Sequence, residues 1–518
     1  MKNINYMIKN VIKRNGKIEP YDLDKVKTAI VKAFDELYTR NEDIDKLIHT
    51  IVFQISLNSG SETVSVEDIQ DMIEKKLMQS KYKDVAKMFI NYRYLKSLAR
   101  NNYNQLWDAI DEKLNAKDVK NQNANLDEAS FGGRIGEASN IMTKKYALDY
   151  LISPMARKNH ENNMVYIHDL DFYAVGAHNC MSIPFDDLLS KGFNTRQTDV
   201  RPAQSVQSAM QLVAVIFQLQ SLQQFGGVSA THLDWTMVPY VRKSFSKHYK
   251  DGLNYLEEDT KKLTNYNVNS DLSIEDDFYK EYSPKAYKYA LDMTEKETYQ
   301  AVEAMYHNLN TLQSRSGNQL PFTSINYGTC TLTEGRIVTK CLLEVGIKGL
   351  GRLHKTSIFP CGIFQYMKGV NDKPGTPNYD LYRLALKSTS LRLYPNYANV
   401  DWSNNAGYDR NDPRTYFSTM GCRTANGYDI NGFGQLKDGR GNICPVTIIL
   451  PTLAMEAKDE VKSSFVPQYV GSYEDARVNA FMELLDTKIH EAKDMLLERY
   501  RHICKQSPDS AKFMYENN

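Results

Sequence analysis

The pattern of hydrophobic and polar positions predicts a mostly helical unit with a short β start over residues 1–100. Residues 11–18 (VIKRNGKI) place Asn15-Gly16, a dipeptide typical of hairpin turns, between two short β-type segments. Asp22 can cap a helix whose apolar residues recur at helical spacing: Leu23, Val26, Ile30, Ala33, Phe34 and Leu37. A second helix is predicted to begin at Ser65, and a third is predicted over residues 85–92.

The remainder of the chain alternates loops and strands with helices over about 350 residues, which predicts an α/β domain. A polar segment at residues 115–128 predicts a linker in front of this domain. The predicted helices are 148–155, 206–222, 282–312, 337–347 and 476–504. The predicted strands are 164–168, 443–450 and one after the loop 314–330, with glycine turns at 131–134 and 225–227. Glu295 and Glu297 are predicted to lie on a solvated helix face.

Residues 419–445 (TMGCRTANGYDINGFGQLKDGRGNICP) form the segment that most strongly suggests chemistry. Gly421 permits a tight turn, and Arg423 places a fixed positive charge beside the sulfur of Cys422, which suits a reactive thiol. The density of glycines predicts a loop threaded into the interior, followed by a buried strand that Pro451 closes. Taken alone, the segment is equally compatible with a solvated loop whose cysteine simply packs.

Composition and charge argue against several classes of protein. The 518 residues suffice for several domains, or for one large domain with an appendage. The 64 Lys+Arg and 63 Asp+Glu residues give a net charge of +1, so neither a nucleic-acid polymer nor a membrane surface is an expected partner. No apolar stretch approaches the roughly 18 residues that span a bilayer, and the start lacks the apolar core of a signal peptide. We therefore expect a cytoplasmic protein.

The cysteines are odd in number, scattered and never spaced as CxxC. They are Cys180, Cys330, Cys341, Cys361, Cys422, Cys444 and Cys504. This spacing predicts free thiols, with neither a disulfide framework nor a cysteine metal site. His168 and His178 have no second potential ligand at i+4, so structural roles are favoured and no metal site is predicted.

Three sets of polar residues are candidates for ligand binding. Cys180 directly follows Asn179 after a glycine turn, although taken alone it is more typical of a buried, inert thiol. Arg196 and Arg201 lie in a polar loop of the kind that could hold phosphates or a partner carboxylate. Four basic residues near the first hairpin could surround a triphosphate, the alternative being a solvated basic face: Lys13, Arg14, Lys17 and Lys25.

Residues 11–30 (VIKRNGKIEPYDLDKVKTAI) resemble the ATP-cone, a regulatory nucleotide-binding module found at the front of many ribonucleotide reductases. The similarity extends over residues 8–97 and implies that residues 1–100 form a regulatory domain that binds ATP or dATP as an allosteric effector. It implies that five residues lie at the nucleotide: Val11, Lys13, Arg14, Glu19 and Lys25.

Six later segments occur in the order expected for a single family. They are 130–140 (SFGGRIGEASN), 164–203 (beginning MVYIHDLDFYAVGAHNCMSIP), 218–235 (QLQSLQQFGGVSATHLDW), 316–329 (SGNQLPFTSINYGT), 420–424 (MGCRT) and 439–442 (GRGN). Together they resemble the anaerobic, class III, oxygen-sensitive ribonucleoside-triphosphate reductases. The resemblance implies that residues 101–518 belong to a ten-stranded α/β barrel of two half-barrels, with a finger loop through its centre. The barrel is expected to be incomplete here, because its second half would lack strands.

The same resemblance implies roles for four residues. Cys422, at the tip of the finger loop, would become the thiyl radical that abstracts the 3′-hydrogen of a ribonucleotide. Cys180 would supply hydrogen on the opposite ribose face as the 2′-hydroxyl leaves as water. Asn179 and Asn442 would hydrogen-bond the substrate. The implied substrates are ribonucleoside triphosphates and the implied reductant is formate. A radical-SAM activating enzyme and a second copy of the chain are the implied partners.

The sequence departs from this family in one respect. Family members end with a zinc site of four cysteines and a glycyl radical loop of RVTGY type, and neither occurs in this sequence. We therefore expect a catalytic-subunit fragment: either one piece of a divided reductase, whose zinc and glycyl radical lie on a separate C-terminal polypeptide, or a truncated product. An inert nucleotide-sensing or binding protein derived from the same family is the alternative. A formate acetyltransferase-like enzyme is disfavoured, because such enzymes carry adjacent cysteines whereas Cys422 precedes Arg423.

Overall fold

The computed structural model describes residues 7–14, 16–57, 62–115, 130–177, 179–256, 270–314, 319–402, 409–416, 418–420, 424–426, 440–441, 446–463 and 473–511. The chain divides into two compact units, residues 1–109 and 110–518. Apart from Asn115, the predicted linker lies outside the described residues.

A three-stranded sheet opens the first unit. Its strands are β1 (Asn10–Ile12), β2 (Ile18–Pro20) and β3 (Thr63–Ser65). β1 and β2 pair in antiparallel register with Val11 opposite Glu19, which confirms the predicted hairpin. Gly16 in the turn has a φ of +77°, a conformation that glycine adopts readily, while Asn15 lies outside the described residues. β3 runs parallel to β1, a long-range pairing that the hydrophobic pattern does not predict.

The described helices of the first unit are α1 (Leu23–Asp35), α2 (Glu42–Leu57), α3 (Val66–Gln79) and α4 (Lys83–Leu114), the last of which runs on into the second unit. Asp22 caps α1 by accepting hydrogen bonds from the backbone N–H groups of Asp24 and Lys25. Ser65 caps α3 in a capping box with Asp68, as its sequence predicts. The sequence predictions omit α2, although its buried apolar residues recur at helical spacing: Ile44, Ile48, Ile51, Val52 and Ile55.

The second unit contains α5 (Phe131–Tyr146), α6 (Pro154–Glu161), α7 (Phe185–Lys191), α8 (Val206–Ser221), α9 (Leu233–Thr236), α10 (Val238–Leu256), α11 (Asp277–Tyr282), α12 (Pro284–Thr311), α13 (Thr333–Lys348), α14 (Tyr379–Arg392), α15 (Leu450–Ser463), α16 (Tyr473–Gln506) and α17 (Pro508–Ala511). A π-helical segment, Ala147–Leu151, follows α5. Short 3₁₀ turns lie at Leu170–Phe172, Val400–Trp402 and Pro413–Thr415. The predicted helices at 206–222, 282–312, 337–347 and 476–504 are confirmed.

The strands of the second unit are β4 (Val165–Ile167), β5 (Met181–Ser182), β6 (Phe193–Asn194), β7 (Asp199–Val200), β8 (Val228–Ala230), β9 (Thr323–Tyr327), β10 (Cys361–Tyr366), β11 (Asn396–Asn399), β12 (Ser418–Met420), β13 (Thr424–Asn426), β14 (Arg440–Gly441) and β15 (Val446–Ile448). Three small antiparallel pairs, β4 with β15, β6 with β7 and β12 with β13, lie outside the main sheet.

The main sheet has six strands in the order β11-β10-β9-β8-β5-β14. The strands from β11 to β5 are parallel, and β14 runs antiparallel to β5. Helices join successive parallel strands, for example α8 between β5 and β8 and α13 between β9 and β10. They bury a large apolar core against the sheet. The predicted α/β class is confirmed. The ten-stranded barrel stays a prediction, because the described residues contribute six strands to the main sheet.

Two predictions near the start of the second unit are wrong. Residues 131–134 belong to α5 and do not form a free turn, because Ser130 accepts a hydrogen bond from the N–H of Gly133 and caps the helix. The predicted helix 148–155 is interrupted, since Ile152 is extended and a new cap at Ser153 starts α6. Pro154 explains the break, because a proline disfavours helical geometry in the residue before it and is tolerated at a first helical position.

Two further predictions need correction. The predicted strand 443–450 is reduced to β15, whose alternate residues are half-buried, and Leu450 starts α15 with Pro451 in its first turn. Residues 443–445 lie outside the described part of the chain. Glu297 is not solvated, because its side chain is 16% exposed and binds Nε2 of His248 at 2.8 Å. Burial would raise the pKa of Glu297, but the hydrogen bond from His248 lowers it overall.

Among the described helices, none combines the length and the apolar character needed to cross a membrane.

Candidate functional site

Asn179 and Cys180 immediately precede β5 and are 7% and 6% exposed. The N–H of Gly226 donates to the carbonyl oxygen of Asn179 at 3.0 Å. The N–H of Gly227 donates to Sγ of Cys180 at 3.3 Å. A backbone donor at this distance orients the sulfur, so the glycine pair before β8 fixes the position of the Cys180 thiol.

The side chain of Gln224 also holds the backbone of Asn179 and Gly227 in place. Its side-chain amide is buried and donates to the carbonyl oxygens of Asn179 at 3.0 Å and Gly227 at 2.9 Å. Gly226 is needed because of close approach: an added Cβ would lie 2.2 Å from Oδ1 of Asn179 and 2.4 Å from its carbonyl carbon. From the sequence, these glycines are predicted only to form a turn. Their position directly before a β-type segment is the signal that indicates a second role.

A second set of contacts joins β12 to the centre of the main sheet. Oδ1 of Asn326 on β9 accepts from the N–H of Thr419 at 3.1 Å, and its Nδ2 donates to the Thr419 carbonyl at 3.0 Å. Oγ of Ser229 on β8 donates to the same carbonyl at 2.7 Å. Asn326 and Ser229 are both 0% exposed. Gly227, directly before β8, therefore contacts Cys180, and Ser229 on β8 contacts the strand that precedes Cys422 in the sequence. No role is predicted from the sequence for Asn326 or Ser229.

Two of the predicted site residues, Cys422 and Asn442, lie outside the described residues, as does His178. The flanking strands are described. Thr419 lies three positions before Cys422 in the sequence. On the other side, Gly441 of β14 lies opposite Met181 of β5 in antiparallel register. The chain segments on either side of the predicted loop thus meet β5, β8 and β9.

Arg196 and Arg201 are placed apart from these contacts. Arg196 lies in the turn between β6 and β7, Arg201 follows β7, and both side chains are exposed. Within the described part of the chain, no hydrogen bond or ion pair connects either arginine to Asn179 or Cys180. The role predicted for them in holding phosphates stays a prediction.

The other described cysteines of the sheet and its helices are buried thiols. Burial raises the pKa of Cys341 to about 12 and raises that of Cys330 further, so both stay protonated near neutral pH. Cys361 lies 3.5 Å from the hydroxyl of Tyr394. Nε2 of His168 lies 2.7 Å from Oγ1 of Thr447, a structural contact between β4 and β15. Among the described residues, no group of three or more His, Cys, Asp or Glu side chains is arranged to hold a metal ion.

Two cavities of the first unit are lined by basic residues, one beside the sheet and one between α1, α3 and α4. The smaller, of about 160 Å³, is lined by three of the five predicted nucleotide residues, Val11, Lys13 and Lys25. The larger has a volume of about 480 Å³. Both cavities are lined by Lys25, Ala29, Gln70 and Ile73, so they adjoin.

The other two predicted residues contact this lining. Glu19 forms an ion pair with Lys13 at 3.3 Å. Arg14 binds Oε1 of Glu67 at 2.6 Å and Oε1 of Gln70 at 3.2 Å. The five residues are therefore brought together around the smaller cavity, in a polar and largely exposed setting.

The larger cavity contains basic residues that the resemblance does not place at the nucleotide. Lys25, Lys32, Arg93 and Lys96 line it together with a single carboxylate, Glu36. Arg93 on α4 binds Glu67, Asp71 and Glu74 of α3 at 2.7, 2.5 and 2.9 Å. Arg93 is thus neutralised by carboxylates of α3, while the three lysines outnumber Glu36 and favour an anionic ligand. Arg93 and Lys96 are three residues apart and share one face of α4, but their approach to Lys25 and Lys32 of α1 depends on helix packing.

Comparison with known proteins assigns both units. The sequence model of the family described as anaerobic ribonucleoside-triphosphate reductase matches residues 122–518, and that of the ATP cone domain matches residues 9–98. The chain is 29% identical to the anaerobic ribonucleoside-triphosphate reductase of Haemophilus influenzae over 509 residues, covering 98% of this chain and 65% of that protein. It is 29% identical to that of Escherichia coli over 502 residues, covering 96% of this chain and 63% of that protein.

The crystal structure of the anaerobic ribonucleotide reductase from Thermotoga maritima in complex with dATP and CTP is similar in fold. The TM-score is 0.50 at 13% sequence identity, and the match covers 81% of this chain and 63% of that one. The chain thus spans slightly less than two thirds of the length of these relatives. The family match over residues 122–518 shows that the chain belongs to the anaerobic ribonucleoside-triphosphate reductase family and carries an ATP-cone at its amino-terminal end.

Proposed function

We propose that the chain carries the two catalytic cysteines and the effector-binding module of an enzyme that reduces ribonucleoside triphosphates to 2′-deoxyribonucleoside triphosphates. The observation that supports this most strongly is the double contact of the β8 segment. Gly227 donates to the sulfur of Cys180, and Ser229, two residues on, donates to the main chain of Thr419. Residues 227–229 thereby contact both the Asn179–Cys180 segment and the strand that precedes Cys422 in the sequence.

In this proposal Cys422 acts as a thiyl radical and abstracts the 3′-hydrogen of the ribose, becoming a thiol. The 2′-hydroxyl then leaves as water, and Cys180 supplies the hydrogen that replaces it. Formate supplies two electrons and is oxidised to carbon dioxide, so that formate, a proton and the nucleotide give the deoxynucleotide, water and carbon dioxide. Cys422 finally returns hydrogen to the 3′ carbon.

The surroundings of Cys180 suit this chemistry. Both Asn179 and Cys180 are buried, and a carbon-centred or sulfur-centred radical requires exclusion of water and of competing thiols. The backbone donor from Gly227 fixes the thiol, which is the prerequisite for attack on one face of a ribose. Asn179 and Asn442 would hydrogen-bond the substrate in the same enclosed space.

The radical source is assigned to a polypeptide segment outside this sequence. A glycyl radical there, installed by a radical-SAM activating enzyme, would supply the unpaired electron that Cys422 takes up. Zinc would belong to the same segment, and no residue of this chain is proposed as its ligand. A second copy of the chain is the further partner, and Arg196 and Arg201 are proposed to contact phosphates or a partner carboxylate.

The first unit is proposed to bind ATP or dATP as the allosteric effector. Lys13 and Lys25 line the smaller cavity, and three further cations line the adjoining one. Ammonium and guanidinium groups on a largely exposed surface are suited to a triphosphate, which carries several negative charges.

An anaerobic assay with purified full chain, formate, ribonucleoside triphosphate and activating enzyme tests the proposal. It is run with and without a polypeptide that supplies the glycyl radical segment. We expect deoxynucleotide when that polypeptide is present, and its loss in Cys422→Ser and in Cys180→Ser. Cys504→Ser is the matched control, since this half-buried cysteine lies near the end of α16 and should retain activity.

Absence of product in every arm, with ATP binding to the first unit intact, would contradict the proposed reaction. That result would favour an inert nucleotide-sensing protein of the same family. Product formed equally well by Cys180→Ser would contradict the role of the second cysteine while leaving the overall reaction standing.

A further inference from the structure

The side chain of Asn326 pairs with the backbone of β12 in the manner of a neighbouring strand. Its Oδ1 accepts from the Thr419 N–H, and one N–H of its amide donates to the Thr419 carbonyl. The same Nδ2 also donates to the carbonyl oxygen of Ala230 on β8 at 2.9 Å. One buried amide therefore satisfies both backbone groups of Thr419 and links them to β8 and β9.

The chemistry of the amide is specific to this task. Asparagine presents one acceptor and two donors in one plane, which matches the N–H and C=O of a peptide. Aspartate would keep the acceptor but lose both donors, and leucine would lose all three interactions at similar volume. Ser229 adds a second donor to the Thr419 carbonyl, so that oxygen accepts two hydrogen bonds from the sheet.

These contacts lie close in sequence to the two proposed catalytic cysteines. Thr419 lies three residues before Cys422 in the sequence. Ser229 lies two residues after Gly227, which donates to the Cys180 sulfur. Resting on the function proposed above, we propose that Asn326, assisted by Ser229, is a positioning residue that sets where the strand leading to Cys422 lies relative to Cys180. It acts through the backbone of β12.

Amide hydrogen exchange on the full chain tests the inference directly, with fragmentation that resolves the Thr419 N–H. In the wild-type chain this N–H should exchange slowly, since it donates to a buried acceptor. Asn326→Leu removes that acceptor, and we expect exchange at Thr419 to accelerate by about tenfold or more. Asn326→Asp retains the acceptor but loses the donors, so a smaller increase is expected.

Asn378→Leu is the matched control. Asn378 is also 0% exposed, and its Nδ2 donates to the carbonyl oxygens of Gly328 at 3.1 Å and Cys330 at 2.9 Å, after β9. It should disturb the sheet to a similar extent while leaving exchange at Thr419 near the wild-type rate. If Asn326→Leu fails to fold, Ser229→Ala provides the milder test, because it removes a single hydrogen bond to Thr419.

The completed enzyme provides a second readout. A displacement of about 1 Å of a reacting group can cost about 100-fold in rate, so Asn326→Leu should lower kcat by about that factor. KM for the nucleotide should stay within about twofold, because Asn326 is not proposed to contact substrate. Unchanged exchange at Thr419 in both Asn326 variants, or an equal increase in Asn378→Leu, would overturn the positioning role.

The two proposals fail separately. A wild-type chain that makes no deoxynucleotide in the completed assay would remove the proposed reaction, while the exchange data would still report on the link between Asn326 and β12. Conversely, an active wild-type enzyme whose Asn326 variants show unchanged Thr419 exchange and unchanged kcat would leave the reaction standing and remove the positioning role.

Discussion

The two candidate sites of this chain differ in burial and in the kind of interaction that holds their residues. In the first unit, charged side chains surround open cavities and pair with carboxylates that are themselves about half exposed, such as Glu19 and Glu67. In the second unit, Cys180 and Asn326 are buried and are held by hydrogen bonds from distant strands. The first site depends on charge that salt can screen, and the second depends on the position of buried atoms.

The difference matches what each site is proposed to do. A regulatory site must admit and release a charged nucleotide, so its cations stay near solvent and their interactions are individually weak. A radical site must exclude water and fix reacting atoms, so its polar groups are buried and paired. Substitutions of buried residues in the second unit should therefore affect folding and catalysis together, whereas removal of a cavity-lining lysine in the first unit should change nucleotide affinity with little effect on stability.

We expect the largest effect from Gly226→Ala. This substitution tests whether the buried site of the second unit tolerates added side-chain volume as poorly as its burial implies. The added methyl would lie 2.2 Å from Oδ1 of Asn179, so the Asn179–Cys180 segment must shift. Overpacking of this kind costs about 1–3 kcal/mol of unfolding free energy. Product formation should fall by about 100-fold, because the thiol moves. Urea unfolding and the anaerobic assay measure the two effects.

Gly346→Ala is the control for this substitution. Gly346 lies within α13, and the nearest atom to an added Cβ is Oγ of Ser388 at 3.7 Å, an ordinary contact. We expect a gain of about 0.5–1 kcal/mol from the higher helix propensity of alanine. A Gly226→Ala chain with wild-type stability and activity would contradict the close approach seen in the structure.

A smaller effect is expected from Gln224→Leu, which removes the amide that donates to the Asn179 and Gly227 carbonyls while retaining much of the side-chain volume. Leaving buried acceptors without their donor costs about 1–2 kcal/mol, measured by urea unfolding. Gln54→Leu, at an exposed position on α2, should change stability by less than about 0.5 kcal/mol. Equal losses of unfolding free energy in Gln224→Leu and Gln54→Leu would show that the buried amide contributes no more to stability than the exposed one.

In the first unit, Lys25→Ala should weaken ATP binding by about tenfold without changing stability, since it removes one charge-assisted contact with phosphate. The wild-type affinity should also fall as salt rises. Lys46→Ala is the matched control, because this exposed lysine pairs with Glu42 on α2 and lines neither cavity. Calorimetric titration that found the same loss in both variants would contradict the proposed effector site.

The smallest effect concerns pH. The hydrogen bond from Arg93, with that from Arg14, holds the pKa of Glu67 below its ordinary value of 4.5. A carboxyl with a lowered folded-state pKa stabilises the fold above the ordinary pKa, and this contribution is lost as the pH falls below 4.5 through the lowered value. Because Glu67 is 47% exposed, the effect should stay below about 1 kcal/mol.

Thermal unfolding of the wild-type chain and Glu67→Gln as a function of pH measures this contribution. The difference between them should be largest near neutral pH and should shrink as the pH falls below 4.5. A difference that grows on acidification would reverse the sign and contradict the assignment of Arg93 and Arg14 as the cause.

Much of the fold could be predicted from local pattern. The caps at Asp22 and Ser65, the first hairpin and the long helices were accessible because each depends on residues a few positions apart. The errors arose where one local sequence pattern is compatible with two different structures. The glycines at 132 and 133 occupy the first turn of a capped helix, and Pro451 begins a helix where closure of a strand was predicted.

The site was predicted in part. The resemblance supplied Asn179 and Cys180, which the structure places together, whereas Cys422 and Asn442 lie outside the described residues. No local pattern points to Asn326, because its partner Thr419 is ninety-three positions away along the chain. Lys32, Arg93 and Lys96 were likewise missed, since three helical segments must pack before their charges converge.

The sequence by itself determined the α/β class, the family and the residue types available for chemistry, because these follow from composition, periodicity and motifs within short windows. Tertiary structure alone decided which backbone donor faces Cys180 and which amide holds the strand before Cys422. Those contacts join residues dozens of positions apart. Burial strengthens each of these hydrogen bonds, and the residues that form them become buried only when the sheet has assembled.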